Sequence, residues 1–155
     1  MAAPSLAPPE FIFAARVTVA APLDVGDIAK GRRRIVAITG GDFSGPALSG
    51  TVLPGGADWQ IVRTDGVAEL EARYVLRTDD GALVHVRNQA LRHGPPDVMA
   101  ALAAGQPVAA ESYYFRGATF FETAAPRHAW LTRHIVVCTG HREPAAVHLA
   151  FYKVV

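Results

Sequence analysis

The sequence predicts an all-β fold, a closed antiparallel barrel of about eight to ten strands with one short helix, and three observations lead there. β-Branched and aromatic residues gather in runs of about six to twelve, the lengths that strands use. Gly, Pro and Asp-Gly turn signals separate these runs at even spacing. Helical periodicity is confined to a single stretch. Long hairpins joined in chain order then favour a barrel over a sandwich.

The elements follow in order. Residues 1–10 hold three prolines and no basic residue, which predicts a loose tail ahead of one domain over 11–155. Strands are expected at 11–20, 33–38, 47–53, 59–63, 67–78, 82–91, 113–123, 130–139 and 147–154. Gly40-Gly41 and Gly55-Gly56 read as turns, and Asp65-Gly66 as another. The clearest hairpin joins 67–78 to 82–91, because Asp80-Gly81 supplies residues that tolerate positive φ in a tight turn. The helix starts after Gly94-Pro95-Pro96, repeats Val98, Met99 and Leu102 at helical spacing, and stops at Gly105. Glu143-Pro144 separates the last two strands at hairpin spacing.

Composition excludes several classes. A chain of 155 residues, half apolar and 19% charged, can bury a core without disulfides or metals. Fifteen basic residues against fourteen acidic ones leave a formal charge of +1, too weak a field to attract nucleic acid. Cys138 is the only cysteine, so no internal bridge forms and a reducing cytoplasm suffices. Residues 1–10 lack the parts of a secretory signal, and no apolar run approaches the roughly 18 to 20 residues needed to span a bilayer. No membrane partner is expected.

The common catalytic motifs are absent. Ser44 and Ser49 lack the first glycine of a G-x-S-x-G elbow, and no phosphate-cradling glycine loop occurs, so no nucleotide cofactor is expected. The six histidines lack zinc-ligand spacing, and no metal is expected. Cys138 sits in an Ile135-Val136-Val137 run and reads as a small buried hydrophobe. Arg32-Arg33-Arg34 reads as the solvated start of a strand, with anion binding as the alternative.

Candidate site residues come from splitting strands into faces. In 67–78, Leu70, Ala72, Tyr74 and Leu76 share one face, while Glu69, Glu71, Arg73 and Arg77 share the other. In 113–123, Tyr114, Arg116, Ala118, Phe120 and Glu122 lie together, a mixture of rings and charges suited to a ligand-holding lumen. The opposite face, with Tyr113, Phe115 and Phe121, would then meet a partner subunit or a covering segment. The expected catalytic groups are Glu122 and Asp58 as acid or base, with Arg116 holding negative charge. Trp59, Glu71, Arg73, Asn88, Tyr114 and Trp130 are the expected ligand contacts. Asn88 reads first as a structural amide, since it shares a face with Val84, Val86 and Ala90, with a ligand contact as the alternative.

The ordered segments Gly31-Arg32-Arg33-Arg34-Ile35, Ile38-Thr39-Gly40-Gly41-Asp42-Phe43 and Val52-Leu53-Pro54-Gly55-Gly56-Ala57-Asp58-Trp59 form a pattern. It continues through Arg77-Thr78-Asp79-Asp80-Gly81-Ala82-Leu83, Tyr114-Phe115-Arg116, Phe121-Glu122-Thr123 and Trp130-Leu131. In this the chain resembles domain of unknown function family 3237, also called uncharacterised protein family 0311. The resemblance implies a lipocalin-like or allene-oxide-cyclase-like barrel and adds weight to Asp58, Trp59, Arg116, Glu122 and Trp130. Thr132 departs from it, standing where the family pattern has Asn after Trp-Leu. The function expected is binding of a small apolar or aromatic metabolite, with cofactor-free isomerase, cyclase or hydratase activity. A carrier without turnover and a structural oligomerisation domain are the alternatives, and a homo-oligomer is expected.

Overall fold

The structure is a computed structural model that describes every residue, Met1–Val155. It contains β1 (Glu10–Val19), β2 (Leu23–Ile28), β3 (Gly31–Ser44), β4 (Gly50–Val52), β5 (Ala57–Val62), β6 (Ala68–Thr78) and β7 (Leu83–His93). Then come α1 (Pro96–Ala103), β8 (Tyr114–Thr123), β9 (Val136–Arg142) and β10 (Ala146–Lys153), with 3-10 segments at Ala110–Ser112 and Pro126–Thr132. Eight antiparallel strands run β1-β10-β9-β8-β7-β6-β5-β3, and pairing of β1 with β3 closes the barrel. β2 and β4 are additional. No helix is long and apolar enough to cross a membrane.

β3 is the seam of the barrel. One of its edges pairs first with β2 and then with β1, and the other pairs first with β5 and then with β4. The switch falls at Gly40-Gly41, read from sequence as a turn but found inside the strand as a bulge. The β1 register slips there between Thr18 and Val19. Gly41 has φ 132°, and a Cβ on it would lie 2.1 Å from the Arg16 carbonyl oxygen, so only glycine lets β1 approach. Two other expectations are corrected. β2 was not anticipated, and the segment opening at residue 130 begins in the 3-10 turns of Pro126–Thr132.

The two ends of the barrel differ. At one end Phe13 stacks on Phe151 with ring centroids 4.5 Å apart, and Phe43 and Phe121 lie 5.3 and 6.2 Å from it. Burying such rings contributes about 1.5–3 kcal/mol each. The Pro126–Thr132 segment plugs this end with Leu131 and His128, both buried. Toward the other end the inward residues become smaller and more polar: Ala72, Ala90, Gly117, Asn88 and Gln60. An eight-stranded barrel is just wide enough for side chains to fill, so space opens only where they are small.

Candidate binding site at the mouth of the barrel

Cross-strand register brings the inner-face residues of the open end into two rows. Val36, Asp58, Ala72, Asn88 and Thr119 are successive neighbours across β3, β5, β6, β7 and β8. Arg34, Gln60, Leu70, Ala90 and Gly117 form the next row outward. Arg92, two residues beyond Ala90 on β7, and Arg142, the last residue of β9, reach in from the rim. Between them lies a cavity of about 50 Å³ whose polar lining includes Asp58, Gln60, Tyr74, Asn88, Arg92 and Arg142. That is room for a few waters or one compact polar group.

Several buried polar atoms in this cluster lack partners. Gln60 Nε2 donates to Asp58 Oδ2 at 2.8 Å. Asp58 Oδ1, Gln60 Oε1, Arg92 Nε and both Arg34 Nε and Nη2 are buried without any hydrogen bond. Gln60 is 4% exposed and Arg92 5%. An unmade hydrogen bond at a buried group costs about 1–3 kcal/mol, more where the group is charged, so five such atoms beside one cavity call for partners within it.

The electrostatics follow from burial. Desolvation pushes the Asp58 carboxyl above the usual carboxylate range, against the opposing effects of the Gln60 hydrogen bond and the Arg92 and Arg34 charges. Burial, and then the nearby Arg142 charge, lower Arg92 to about 10, which leaves it protonated at neutral pH. Arg142 is lowered for the same reasons, with Arg34 as its charged neighbour. Burial raises the Tyr74 phenol, keeping it neutral. Asn88, by contrast, is satisfied: its Oδ1 accepts from Thr119 Oγ1 at 2.9 Å and its Nδ2 donates to Cys138 Sγ at 3.3 Å. Burial also keeps the Cys138 thiol neutral.

The residues expected from sequence divide between the two sides of the wall. Asp58 and Asn88 line the cavity. Glu122, Arg116, Tyr114, Trp59, Glu71 and Arg73 lie on the outer face, and the expectation that the face of Tyr114, Arg116 and Glu122 turns inward is corrected. Phe115, Thr119 and Phe121 point inward instead, because their burial outweighs that of a face bearing charges. Glu122 is 82% exposed and pairs with His85 Nδ1 at 2.9 Å, while Glu71 pairs with Arg73 on the outside at 2.7 Å. Trp130 packs against the core from the plug at the opposite end, with Lys153 Nζ over its ring. Trp59, Glu71, Tyr114 and Arg116 do meet, in an open outer groove of about 820 Å³.

The sequence does not single out Gln60, Arg92 or Arg142, and it offers Arg34 only within a triplet read as a solvated strand start, with anion binding as the alternative. Each nonetheless keeps the inward phase of its strand: Arg34 with Val36 and Ile38, Arg92 with Val84, Val86 and Ala90, Arg142 with Val136 and Cys138. An arginine in the core phase of a strand was the available signal.

Fold and site together define a small antiparallel barrel, solid at one end and carrying a polar cavity at the other. The chain belongs to the protein family of unknown function DUF3237, whose sequence pattern matches residues 8–154. It is 43% identical over 146 residues to a UPF0311 protein of Clostridium acetobutylicum, covering 94% of this chain and 92% of that one. A crystal structure of a conserved protein of unknown function from Rhodopseudomonas palustris superposes with TM-score 0.95 at 37% identity, covering 99% of this chain and 100% of that one. A beta-barrel like protein from Acinetobacter baumannii gives TM-score 0.85 at 36% identity, with 99% of each chain covered. At 22% identity and TM-score 0.75, over 100% of this chain and 99% of that one, an enzyme from Penicillium herquei shares the fold.

Proposed function

We propose that the protein binds a small organic metabolite at the barrel mouth and that Asp58 moves a proton on it without a cofactor, as an isomerase, cyclase or hydratase does. One observation carries this reading: the unpartnered polar atoms of Arg34, Asp58, Gln60 and Arg92 share the inner face of the open end. Burial raises the Asp58 carboxyl while Arg92 and Arg34 oppose the rise, the kind of environment in which a carboxyl serves as general acid or base. In the simplest step the carboxylate takes a proton from carbon next to a carbonyl. The arginines hold the resulting enolate oxygen, and Asp58 returns the proton to a second atom. Nothing else is consumed.

Metabolite extract passed over the purified protein, with retained compounds identified by mass, supplies the ligand. In deuterated solvent the wild type is expected to exchange a ligand C–H for deuterium, and Asp58→Asn to bind without exchange. Binding by both with exchange by neither would make the protein a carrier.

We further infer that the outer groove is a self-association surface. Trp59, Leu91 and Tyr114 are exposed there. Glu69 and Glu71 stand between Arg33 on one side and Arg116 on the other, so a second copy related by a two-fold axis can oppose unlike charges. A cytoplasmic setting fits the single buried thiol of Cys138.

A further inference from the structure

The unpaired atoms at the mouth also specify the ligand's chemistry, an inference that rests on reading the mouth as a ligand site. Three guanidinium groups cluster at the mouth, with Arg34 among the charges that help lower Arg92 and Arg142, and Asp58 is the one carboxylate among their charged neighbours. Elsewhere the chain supplies acidic partners: Arg32 pairs with Asp24, Arg63 with Asp65, Arg73 with Glu71 and Arg127 with Asp80. Inside the mouth Asp58 accepts its hydrogen bond from Gln60 instead, and Arg34 and Arg92 keep unbonded N–H groups. Buried cations with donors to spare call for an anion, and the planar fork of arginine matches a carboxylate.

The acceptors say more. Asp58 Oδ1 and Gln60 Oε1 are buried and empty-handed beside those donors. An anion with no hydrogen to give would satisfy the arginines and leave these two oxygens facing more negative charge. A hydroxyl close to the anionic group supplies the missing donor. Space sets the third condition, since about 50 Å³ admits the polar head and not a whole metabolite. The remaining walls of the cavity are apolar: Val17, Val19, Pro22, Phe115, Pro144 and Val147.

We propose that the ligand is a hydroxycarboxylate that enters head first. Its carboxylate lies among Arg34, Arg92 and Arg142, its hydroxyl donates to Asp58 or Gln60, and its apolar body rests against the Pro22 and Pro144 rim. Three substitutions of state distinguish this ligand from others: carboxylate to amide removes the charge, hydroxyl to hydrogen removes the donor, and carboxylate to phosphate changes the shape and charge.

The test measures binding of mandelate, salicylate and 2-hydroxyisovalerate to the full-length protein by calorimetry. Their amides, their deoxy counterparts and phenyl phosphate serve as comparisons. At least one hydroxycarboxylate is expected to saturate the protein. Its deoxy counterpart should bind about tenfold more weakly and its amide more weakly still. Arg92→Met should weaken that binding at least tenfold while its melting temperature stays equal to or above the wild type's, because the substitution removes an unpaired buried charge. A purely structural arginine would lower the melting temperature instead. Equal affinity for acid and amide, tighter binding of phenyl phosphate, or unchanged binding by Arg92→Met overturns the assignment of the head group. If the hydroxycarboxylates fail while a neutral metabolite from extract is retained by wild type and lost on Gln60→Leu, the hydroxycarboxylate is wrong and the mouth remains the site. If nothing is retained, both readings fall.

Discussion

Asp58 shows how burial makes the charged form of one side chain costly to the fold. Its folded pKa is raised above the unfolded value near 4, so burial destabilises its charged form. The sign follows: below about pH 4 the group is neutral in both states and carries no penalty, and the penalty grows as pH rises toward the folded value. Asp58→Asn is therefore expected to raise the melting temperature at pH 8 by at least about 2 °C, the shift of a 1 kcal/mol change in a chain of this size. The gain should shrink to nothing near pH 4. Thermal melts across that range check it, and a variant less stable than wild type at pH 8 would mean the arginines favour the carboxylate more than burial opposes it. Asp58 was legible in the sequence, as a carboxylate beside Trp59 in a recognisable segment. Of its neighbours only Arg34 was, within the Arg32-Arg33-Arg34 triplet, because the charges that cluster with aromatics in the sequence lie on the outer face of β8. The decisive feature was geometric: Gly117 has no room for a Cβ, which would come within 2.6 Å of Asn88 Oδ1 and 2.8 Å of Cys138 Sγ, so its strand face had to be the inner one.

At the level of elements, regular hairpins were legible and the seam was not. The β6–β7 pair follows the alternation and the Asp80-Gly81 turn seen in the sequence. β2 escaped notice because Leu23, Val25 and Ile28 are exposed and alternate with Asp24, Gly26 and Asp27, a pattern that buries nothing. The bulge in β3 was hidden because paired glycines usually mark a reversal. The plug is held by a contact that sequence spacing cannot reveal, since Asp80 and His128 are 48 residues apart. Asp80 Oδ1 takes His128 Nε2 at 3.1 Å, Arg127 Nη1 lies 3.1 Å from Oδ2, and the Thr78 hydroxyl donates to the same carboxylate. These partners, Thr78 first, hold the Asp80 pKa down at about 2. A depressed carboxylate stabilises the fold above its unfolded pKa, and that contribution is lost as pH falls from about 4 toward about 2. Asp80→Asn should accordingly lower the melting temperature at pH 7 and match the wild type near pH 2. A difference that persists at pH 2 would assign the effect to packing of the turn rather than to the charge.

For the whole molecule, the barrel separates two surfaces that the sequence interleaves residue by residue. The inner one ends in a small charged mouth, and the outer one carries Trp59, Leu91 and Tyr114 around a groove of about 820 Å³. Alternation along a strand makes the two independent: changing an outward side chain leaves its inward neighbours in place. The self-association reading therefore makes a separable prediction. Native mass spectrometry of the wild type is expected to give an oligomer, and Leu91→Arg, which sets a charge amid Trp59, Ile61 and Tyr114, is expected to shift it to the monomer. Because Leu91 points away from the lumen between inward Ala90 and Arg92, ligand affinity at the mouth should change by less than about twofold, as for a surface substitution within ±0.5 kcal/mol. A monomeric wild type would leave the apolar groove to another partner. Coupled loss of both assembly and ligand binding would mean instead that the subunit contact shapes the mouth, with the outer face of β7 acting on Arg92 through the backbone they share.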